Sequence, residues 1–440
     1  MEAQRKAVKA MTLHPRVYNL GEIGTGKTIA SIWAFDYLKK AGLANRALII
    51  APLSTLERTW ADEIFTNCMH LSFEVLYGSR QKRKQLLDQR ADVYIINHDG
   101  AKIMADDLVA RPDIDVVIID ELSQVARNAQ TDRWKALRKI VGKRSYVWGL
   151  TGTPIPNEPT DAWAQCRLIT PETVPHYFGR FRDMTMQQTG TYQWRQRPEA
   201  LDIVYQAMQP AVRAVRDECF DLPPVTYEDR DAPLTADQKG AYQTMLKSLY
   251  AQYRSHEISA VNEGVKIMKL VQICAGAAYA EDGETVTITP THRLEVTKEL
   301  IEEAGVHKAI VFVPFVAALQ EVAKWLSQHY SVETIYSAIS KRERDRIFGA
   351  FQKEPDPKIL VAQPAAMSHG LTLTEANLIV WFAPITSADT YEQANGRITR
   401  PGQRRSQLIA NISGTPIEDK MYKRLKQKNS TQGLLLDMFK

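Results

Sequence analysis

The chain has 440 residues, 44% of them hydrophobic and 24% charged, which suggests two or three domains able to bury real cores. Its formal net charge of +5 permits a nucleic-acid partner without requiring one. Four scattered cysteines, Cys68, Cys166, Cys219 and Cys274, contain no Cys-x-x-Cys pair, which excludes zinc-finger spacing and a small disulfide framework and fits a reducing cytoplasm.

Met1–Arg5 has no apolar core behind its charges, so no signal peptide is expected. In chain order, Val17–Leu20, Ala47–Ala51, Val93–Asn97, Val116–Asp120 and Tyr146–Leu150 are short apolar runs bounded by Gly, Pro or polar residues. Parallel strands buried on both faces read this way. Thr28–Lys40 carries apolar residues at helical spacing and stops at Gly42. The βαβ alternation predicts an α/β fold with a doubly wound parallel sheet. From about Pro171 to Ala278 the chain is rich in Gln, Arg, Tyr and Met, and helical insertions are expected over about 171–220 and 234–278. Asp221-Leu222-Pro223-Pro224 interrupts that region and predicts a boundary between lobes 1–220 and 221–440. The α/β pattern returns in strands Lys308–Val313, Val332–Ile335, Ile359–Ala362, Leu378–Phe382 and Leu408–Asn411. Helices are expected between them and over about 416–440. The longest apolar stretches, Ala47–Leu53 and Ala309–Leu319, are too short to span a bilayer, so a soluble, cytoplasmic protein without a membrane partner is expected.

Gly21-Glu22-Ile23-Gly24-Thr25-Gly26-Lys27-Thr28 fits the G-x-x-x-x-G-K-[ST] phosphate loop and lies between a predicted strand and a predicted helix. Glycines let backbone N–H groups turn onto phosphate oxygens, and the helix N-terminus adds its positive end. Lys27 would reach the β- and γ-phosphates of ATP, and the Thr28 hydroxyl would bind Mg²⁺. Gly24, Thr25 and Gly26 complete the cradle. A phosphate loop needs an acidic partner at the end of another parallel strand, and Val116-Val117-Ile118-Ile119-Asp120-Glu121 supplies one. Asp120 would hold Mg²⁺ and Glu121 would orient or deprotonate the attacking water. Taken alone, such a pair could equally be a helix N-terminal charge cluster.

With these two motifs in place, the sequence resembles superfamily 2 helicases, especially Swi/Snf-type translocases, over nearly its whole length. Gln4 lies where that family places an adenine-reading glutamine. Ala51-Pro52-Leu53-Ser54 with Trp60 and Glu63 looks like the motif that touches the nucleic-acid backbone. Asp120-Glu121-Leu122-Ser123 occupies the Asp-Glu-x-His position. Leu150-Thr151-Gly152-Thr153-Pro154-Ile155-Pro156-Asn157 is similar to Leu-Thr-Gly-Thr-Pro-x-x-Asn, with Asp161-Ala162-Trp163 following. In the second half, Ile310-Val311-Phe312 with Phe315, Gly370-Leu371-Thr372-Leu373, and Gln393 through Gln403 resemble the second lobe's motifs. Gln363-Pro364-Ala365-Ala366-Met367-Ser368-His369-Gly370-Leu371, Gln272–Ala277 with Tyr279, and the tail from Thr415 to Gln432 resemble phage- and prophage-encoded members.

The resemblance implies two RecA-like lobes that use ATP and Mg²⁺. Gln4 and Gln393 would join the nucleotide site, and Arg397 and Arg400 would approach the triphosphate, with Arg400 as arginine finger. Thr151, Gly152, Thr153 and Ser123 would couple hydrolysis to movement. Pro52, Ser54, Asn97, Phe312, Gln363, Gly370 and Thr372 would contact nucleic acid. Three departures bear on coupling: Ser123 replaces the usual histidine, Thr372 replaces an asparagine, and Met367-Ser368 replace Gly-Gly. The basic runs Arg80, Lys82, Arg83, Lys84 and Lys423, Arg424, Lys426, Lys428 are solvated faces or nucleic-acid contacts. Tyr192 and Trp194 with Arg195 and Arg197 are local packing or a stacking platform. His98 and His369 have no ligand-spaced partners.

The expected function is an ATP-dependent, monomeric translocase on duplex or forked DNA, gripping phosphates without sequence preference and serving phage replication, recombination or fork remodelling. A strand-separating helicase and an ATP-gated DNA-binding adaptor with little turnover are the alternatives.

Overall fold

A computed structural model describes residues 1–190, 193–254, 260–279, 285–303, 305, 307–367 and 372–439. The chain forms two compact units, residues 1–221 with 428–440, and residues 222–427.

Among the described residues the first unit carries nine strands: β1 Arg16–Asn19, β2 Arg46–Ala51, β3 Phe73–Val75, β4 Val93–Asn97, β5 Ile114–Ile119, β6 Tyr146–Leu150, β7 Met186–Gly190, β8 Gln193–Gln196 and β9 Ala211–Val212. Seven of them form one sheet in the order β3-β4-β2-β5-β6-β1-β9, with every pair parallel. Their side chains alternate between two cores, as a two-residue period demands. Leu48, Ile50, Val117 and Ile119 enter one core, while Ala47, Ile49, Ala51, Val116 and Ile118 enter the other. Both faces are buried, which explains why these strands read as unbroken apolar runs. Helices α1 (Glu2–Leu13) and α2 (Lys27–Lys40) cover the second face, inserting Met11, Ile32, Phe35 and Leu38. Each such large apolar side chain contributes roughly 1.5–3 kcal/mol on burial.

The second unit carries β10 Val225–Asp231, β11 Ala277–Tyr279, β12 Thr285–Thr287, β13 Ala309–Phe312, β14 Val332–Ile335, β15 Ile359–Ala362, β16 Leu378–Trp381 and β17 Gln407–Ser413. Six of these form a second parallel sheet, β10-β17-β16-β13-β15-β14, again buried on both faces. Two doubly wound α/β units are therefore present.

Three details differ from the sequence reading. Residues 428–440 belong to the first unit rather than the second. Leu435, Leu436 and Phe439 are buried in its core, with the Phe439 ring 4.7 Å from that of Tyr205. The stretch expected to be a helical insertion includes the antiparallel hairpin β7–β8, and Trp194 stands on a strand of it. Arg182 stacks 4.0 Å over the Trp194 ring, and Arg197 Nε donates to the Asp183 and Met186 carbonyls at 3.0 and 3.1 Å. Local packing therefore accounts for Trp194 and Arg197; Tyr192 lies outside the described residues. Strand β10 pairs with β17 over seven residues. It was not foreseen because Val-Thr-Tyr-Glu-Asp-Arg-Asp shows no apolar alternation. Among the described residues, no helix is long and apolar enough to cross a membrane.

Candidate nucleotide site

The phosphate loop, the Asp120-Glu121 pair and the segment Thr151–Thr153 lie at the carboxyl ends of adjacent strands β1, β5 and β6, where a doubly wound sheet binds ligands. The loop after β1 leads into α2 with Gly24 at φ 87° and Gly26 at φ 83°. L side chains disfavour that backbone region. A Cβ on Gly26 would also fall 2.2 Å from Gln4 Nε2, so the glycine is what lets Gln4 lie against the loop. The Lys27 ammonium donates to the carbonyls of Gly21 at 2.7 Å and Glu22 at 3.0 Å. The Thr25 hydroxyl donates to Glu22 O at 2.8 Å. Thr28 is half-buried in the first turn of α2.

Asp120 directly follows β5 and is buried, at 9% exposure. The Trp60 indole Nε1 donates to its Oδ2 at 3.0 Å, and the Glu121 peptide N–H donates to its Oδ1 at 3.0 Å. Burial pushes the Asp120 pKa up, opposed by the Trp60 hydrogen bond, the Lys27 charge and the Glu121 N–H. Glu121 itself holds φ 50°, the one positive φ among described non-glycine residues. His98, the residue after β4, hydrogen-bonds the Asp120 carbonyl through Nε2 at 3.0 Å. Packing around that imidazole pushes its pKa down to about 4.

The loop after β6 joins the same cluster. Ser123 Oγ lies 3.0 Å from Thr151 Oγ1 and 3.3 Å from Thr153 Oγ1. Thr153 N–H donates to Thr151 Oγ1 at 3.1 Å. Three hydroxyls thus link the segment after Asp120-Glu121 to the segment after β6. Gly152 lies between them; a Cβ there would stand 3.5 Å from Gly21 O and 3.9 Å from Lys27 Nζ. Asn19 completes the joint. Its side-chain oxygen accepts from Gly21 N–H at 3.1 Å, and its carbonyl accepts from Thr151 N–H at 3.1 Å.

Asn19 and Arg213 of this cluster have no place in the sequence reading, and Trp60 and His98 stand there without these roles. The Arg213 side chain is 5% exposed, and its Nη2 donates to Glu22 Oε1 of the phosphate loop at 3.0 Å. The Arg216 N–H donates to the other Glu22 oxygen at 3.1 Å. Trp60 carried a signal but was assigned to the nucleic-acid motif. Here it is fully buried against Asp120, in the π-helical turn Leu56–Ala61, a device common at functional sites. Arg213 sits nearly two hundred residues from its partner, so no local spacing could reveal it.

The residues expected to contact nucleic acid have differing surroundings. Phe312 is fully buried on β13, its ring centroid 4.7 Å from Trp381, which in turn stacks 4.7 Å from Tyr391. Asn97 is buried and its side-chain oxygen accepts from Arg83 Nη1 at 3.0 Å. Arg83 is buried too, not part of a solvated basic face, while Pro52 is buried and Ser54 exposed. Gln363 is half-buried and accepts from Ser337 N–H at 3.2 Å. Gly370 and His369 lie outside the described residues.

In the second unit, Gln393 and Arg397 are buried. Gln393 Nε2 donates to Asp389 at 3.3 Å, and the Arg397 carbonyl accepts from Leu373 N–H at 3.0 Å. Arg400 Nε donates to Gly396 O at 2.9 Å and its Nη1 to the exposed Thr372 hydroxyl at 3.3 Å. Thr372 and Arg400 are thus neighbours, a pairing their separation of 28 residues concealed.

Among the described residues no cluster of three or more His, Cys, Asp or Glu side chains could hold a metal alone. The Thr28 hydroxyl and Asp120 carboxylate are hard oxygen donors, the partial set that Mg²⁺ takes when phosphates and water complete its shell.

The SNF2-related domain matches residues 20–276. The chain belongs to the SNF2-related family. The helicase conserved C-terminal domain follows over residues 292–402 of this SNF2-family chain. Protein p41 of Acyrthosiphon pisum secondary endosymbiont phage 1 is 25% identical over 95% of this chain and 94% of its own length. A Bacillus subtilis protein named as an ATP-dependent helicase/translocase, YwqA, is 25% identical over 93% of this chain and 45% of its own length. A Drosophila pseudoobscura DNA repair and recombination protein, RAD54-like, is 24% identical over 94% of this chain and 60% of its own length. The chain therefore spans less than two thirds of the length of these last two relatives. The Swi/Snf-type resemblance read from the motifs is borne out, including similarity to a phage protein. The SNF2-family enzyme is an ATPase of the nucleic-acid-stimulated kind.

Proposed function

We propose that this ATPase is a translocase on duplex DNA that couples each hydrolysis cycle to movement, serving phage DNA replication, recombination or fork remodelling. The observation that carries the reading is the hydroxyl joint of Ser123, Thr151 and Thr153 beside Lys27, Asp120 and Glu121. Such a link offers a path from the catalytic pair to a neighbouring loop, which an enzyme that turns hydrolysis into displacement requires. In this reading Lys27 and Thr28 hold the triphosphate, and Thr28 and Asp120 hold Mg²⁺, which would draw charge from the phosphate oxygens. Glu121 orients the water, Gln4 and Gln393 contact the nucleotide, and Arg400, beside Arg397, answers the charge developing on the γ-phosphate. The family's SNF2 type and the names of its relatives favour DNA as the track, with Ser54 and Thr372 as its exposed contacts.

ATPase rates measured with duplex DNA, single-stranded DNA and RNA test the track. Duplex DNA should stimulate most, and stimulation by RNA alone would overturn the reading. Displacement of a third strand from a triplex, without unwinding of a fork, separates translocation from strand separation. Binding to DNA with no turnover would favour an ATP-gated adaptor instead.

A further inference from the structure

Glu121 poses a physical problem. A glutamate at φ 50°, ψ 47° is in the left-handed region, where its Cβ crowds the carbonyl, and such a residue stays there only when its surroundings hold it. Besides the local bond from Glu121 N–H to Asp120 Oδ1 at 3.0 Å, three groups hold the peptides around it. Asp120 N–H donates to Ile50 O of β2 at 2.8 Å, and Gln124 N–H donates to Glu121 O at 2.9 Å. The third is His98, whose Nε2 meets the Asp120 carbonyl at 3.0 Å. A carbonyl only accepts, so Nε2 must carry the proton. This donor directly follows β4, two strands away across β2 in the order β4-β2-β5. It bonds the one oxygen of the Asp120–Glu121 peptide. If that bond is lost, only the local bond from Glu121 N–H to Asp120 Oδ1 at 3.0 Å is left on that peptide, so the plane can turn together with the Asp120 side chain and relieve the strain at Glu121, carrying its carboxylate away from the water.

We propose that His98 is a positioning residue for hydrolysis, pinning the Asp120–Glu121 peptide so that Glu121 keeps the backbone its role requires. The inference rests on the reading of Glu121 as the water-orienting group. It assigns His98 no contact with nucleotide or metal, so its effect should fall on turnover and not on ATP binding.

Steady-state ATPase kinetics with saturating duplex DNA test this, alongside the affinity of a fluorescent ATP analogue. His98→Leu keeps bulk but removes the donor, and should lower kcat by about tenfold while KM and analogue affinity stay within about twofold. His98→Gln, whose amide N–H reaches a similar place to Nε2, should restore kcat to within about threefold of the parent. Should His98→Leu fail to fold, His98→Asn, too short to reach the carbonyl, takes its place. Full turnover in the donor-less variant overturns the proposal, and so does equal impairment of the Gln and donor-less variants, because bulk alone would then matter. A raised KM with unchanged kcat overturns it as well. Lys27→Ala and Glu121→Gln run in parallel: turnover surviving in them sinks the catalytic reading itself, whereas their inactivity beside a fully active donor-less His98 variant sinks only the role of His98.

Discussion

The Asp120 carboxylate shows how one hydrogen bond can set the behaviour of a site. It is buried, which favours its neutral form, and the Trp60 indole N–H opposes that most strongly. A hydrogen bond to a charged group is worth about 1.5–3 kcal/mol. Trp60→Phe removes the N–H while keeping an aromatic ring, so the ionised carboxylate loses that support. The Mg²⁺ concentration for half-maximal ATPase activity should rise about tenfold or more, measured by Mg²⁺ titration at fixed pH. An unchanged requirement would mean that Asp120 does not bind the metal. Ser123→Ala tests the neighbouring joint. It leaves Thr151 and Thr153 bonded to each other through the Thr153 N–H but removes their link to the segment after Glu121. Basal ATPase should persist, while triplex displacement per ATP hydrolysed falls severalfold.

At the scale of elements, the helix Arg80–Asp88 shows why a run of like charges cannot be read as one feature. Arg83 turns inward, donating to Gly78 O at 2.9 Å, Leu76 O at 2.7 Å and Asn97 Oδ1 at 3.0 Å. Arg80 and Lys84 remain exposed around Asp107, at 3.1 and 4.0 Å. Buried acceptors left unpaired cost about 1–3 kcal/mol, whereas exposed ion pairs contribute about 0–1 kcal/mol. Arg83→Met should therefore destabilise the first unit by about 2–4 kcal/mol in urea unfolding. Arg80→Ala and Lys84→Ala should shift it by less than about 1 kcal/mol. Equal effects from all three would return Arg83 to the surface. At the other end of the sheet, the brace between Arg213 and Glu22 acts on the phosphate loop, so Arg213→Ala should raise KM for ATP severalfold in a steady-state titration.

On the scale of the whole molecule, each unit has its own polar lock. In the second, Arg293 at 2% exposure makes a two-pronged pair with Glu418 at 0%, at 2.9 and 3.0 Å, and also donates to Phe382 O. This pair ties the helix Thr291–Glu303, the end of β16 and the start of the helix Pro416–Asp437. Glu418→Gln leaves the Arg293 charge short of its partner inside the core, and breaking such a buried pair costs about 3–5 kcal/mol. The melting transition of the second unit should fall well below that of the first in calorimetry. Thiol accessibility reports on both units at once. Burial pushes Cys166 up to about 11 and Cys274 up to about 12. Cys68 is also buried, while Cys219 is half-buried. At pH 8 a soluble thiol reagent should modify Cys219 first, and all four only in denaturant.

The α/β class, the core strands of both sheets and the ATP-binding motifs were legible because they are local. A buried parallel strand writes itself as an apolar run, and the phosphate loop and Asp-Glu pair are contiguous residues whose spacing is their chemistry. Strands such as Val225–Asp231 and the β7–β8 hairpin were not legible, because their pairing rather than their composition makes them strands. The same division runs through the site. Lys27, Asp120 and Glu121 announced themselves. Only tertiary structure could turn Trp60 and His98 toward Asp120, bury Phe312 and Arg83, and set Arg213 against Glu22. Those assignments depend on which strands lie side by side, and adjacency in a parallel sheet joins residues that sequence separates by tens to hundreds of positions.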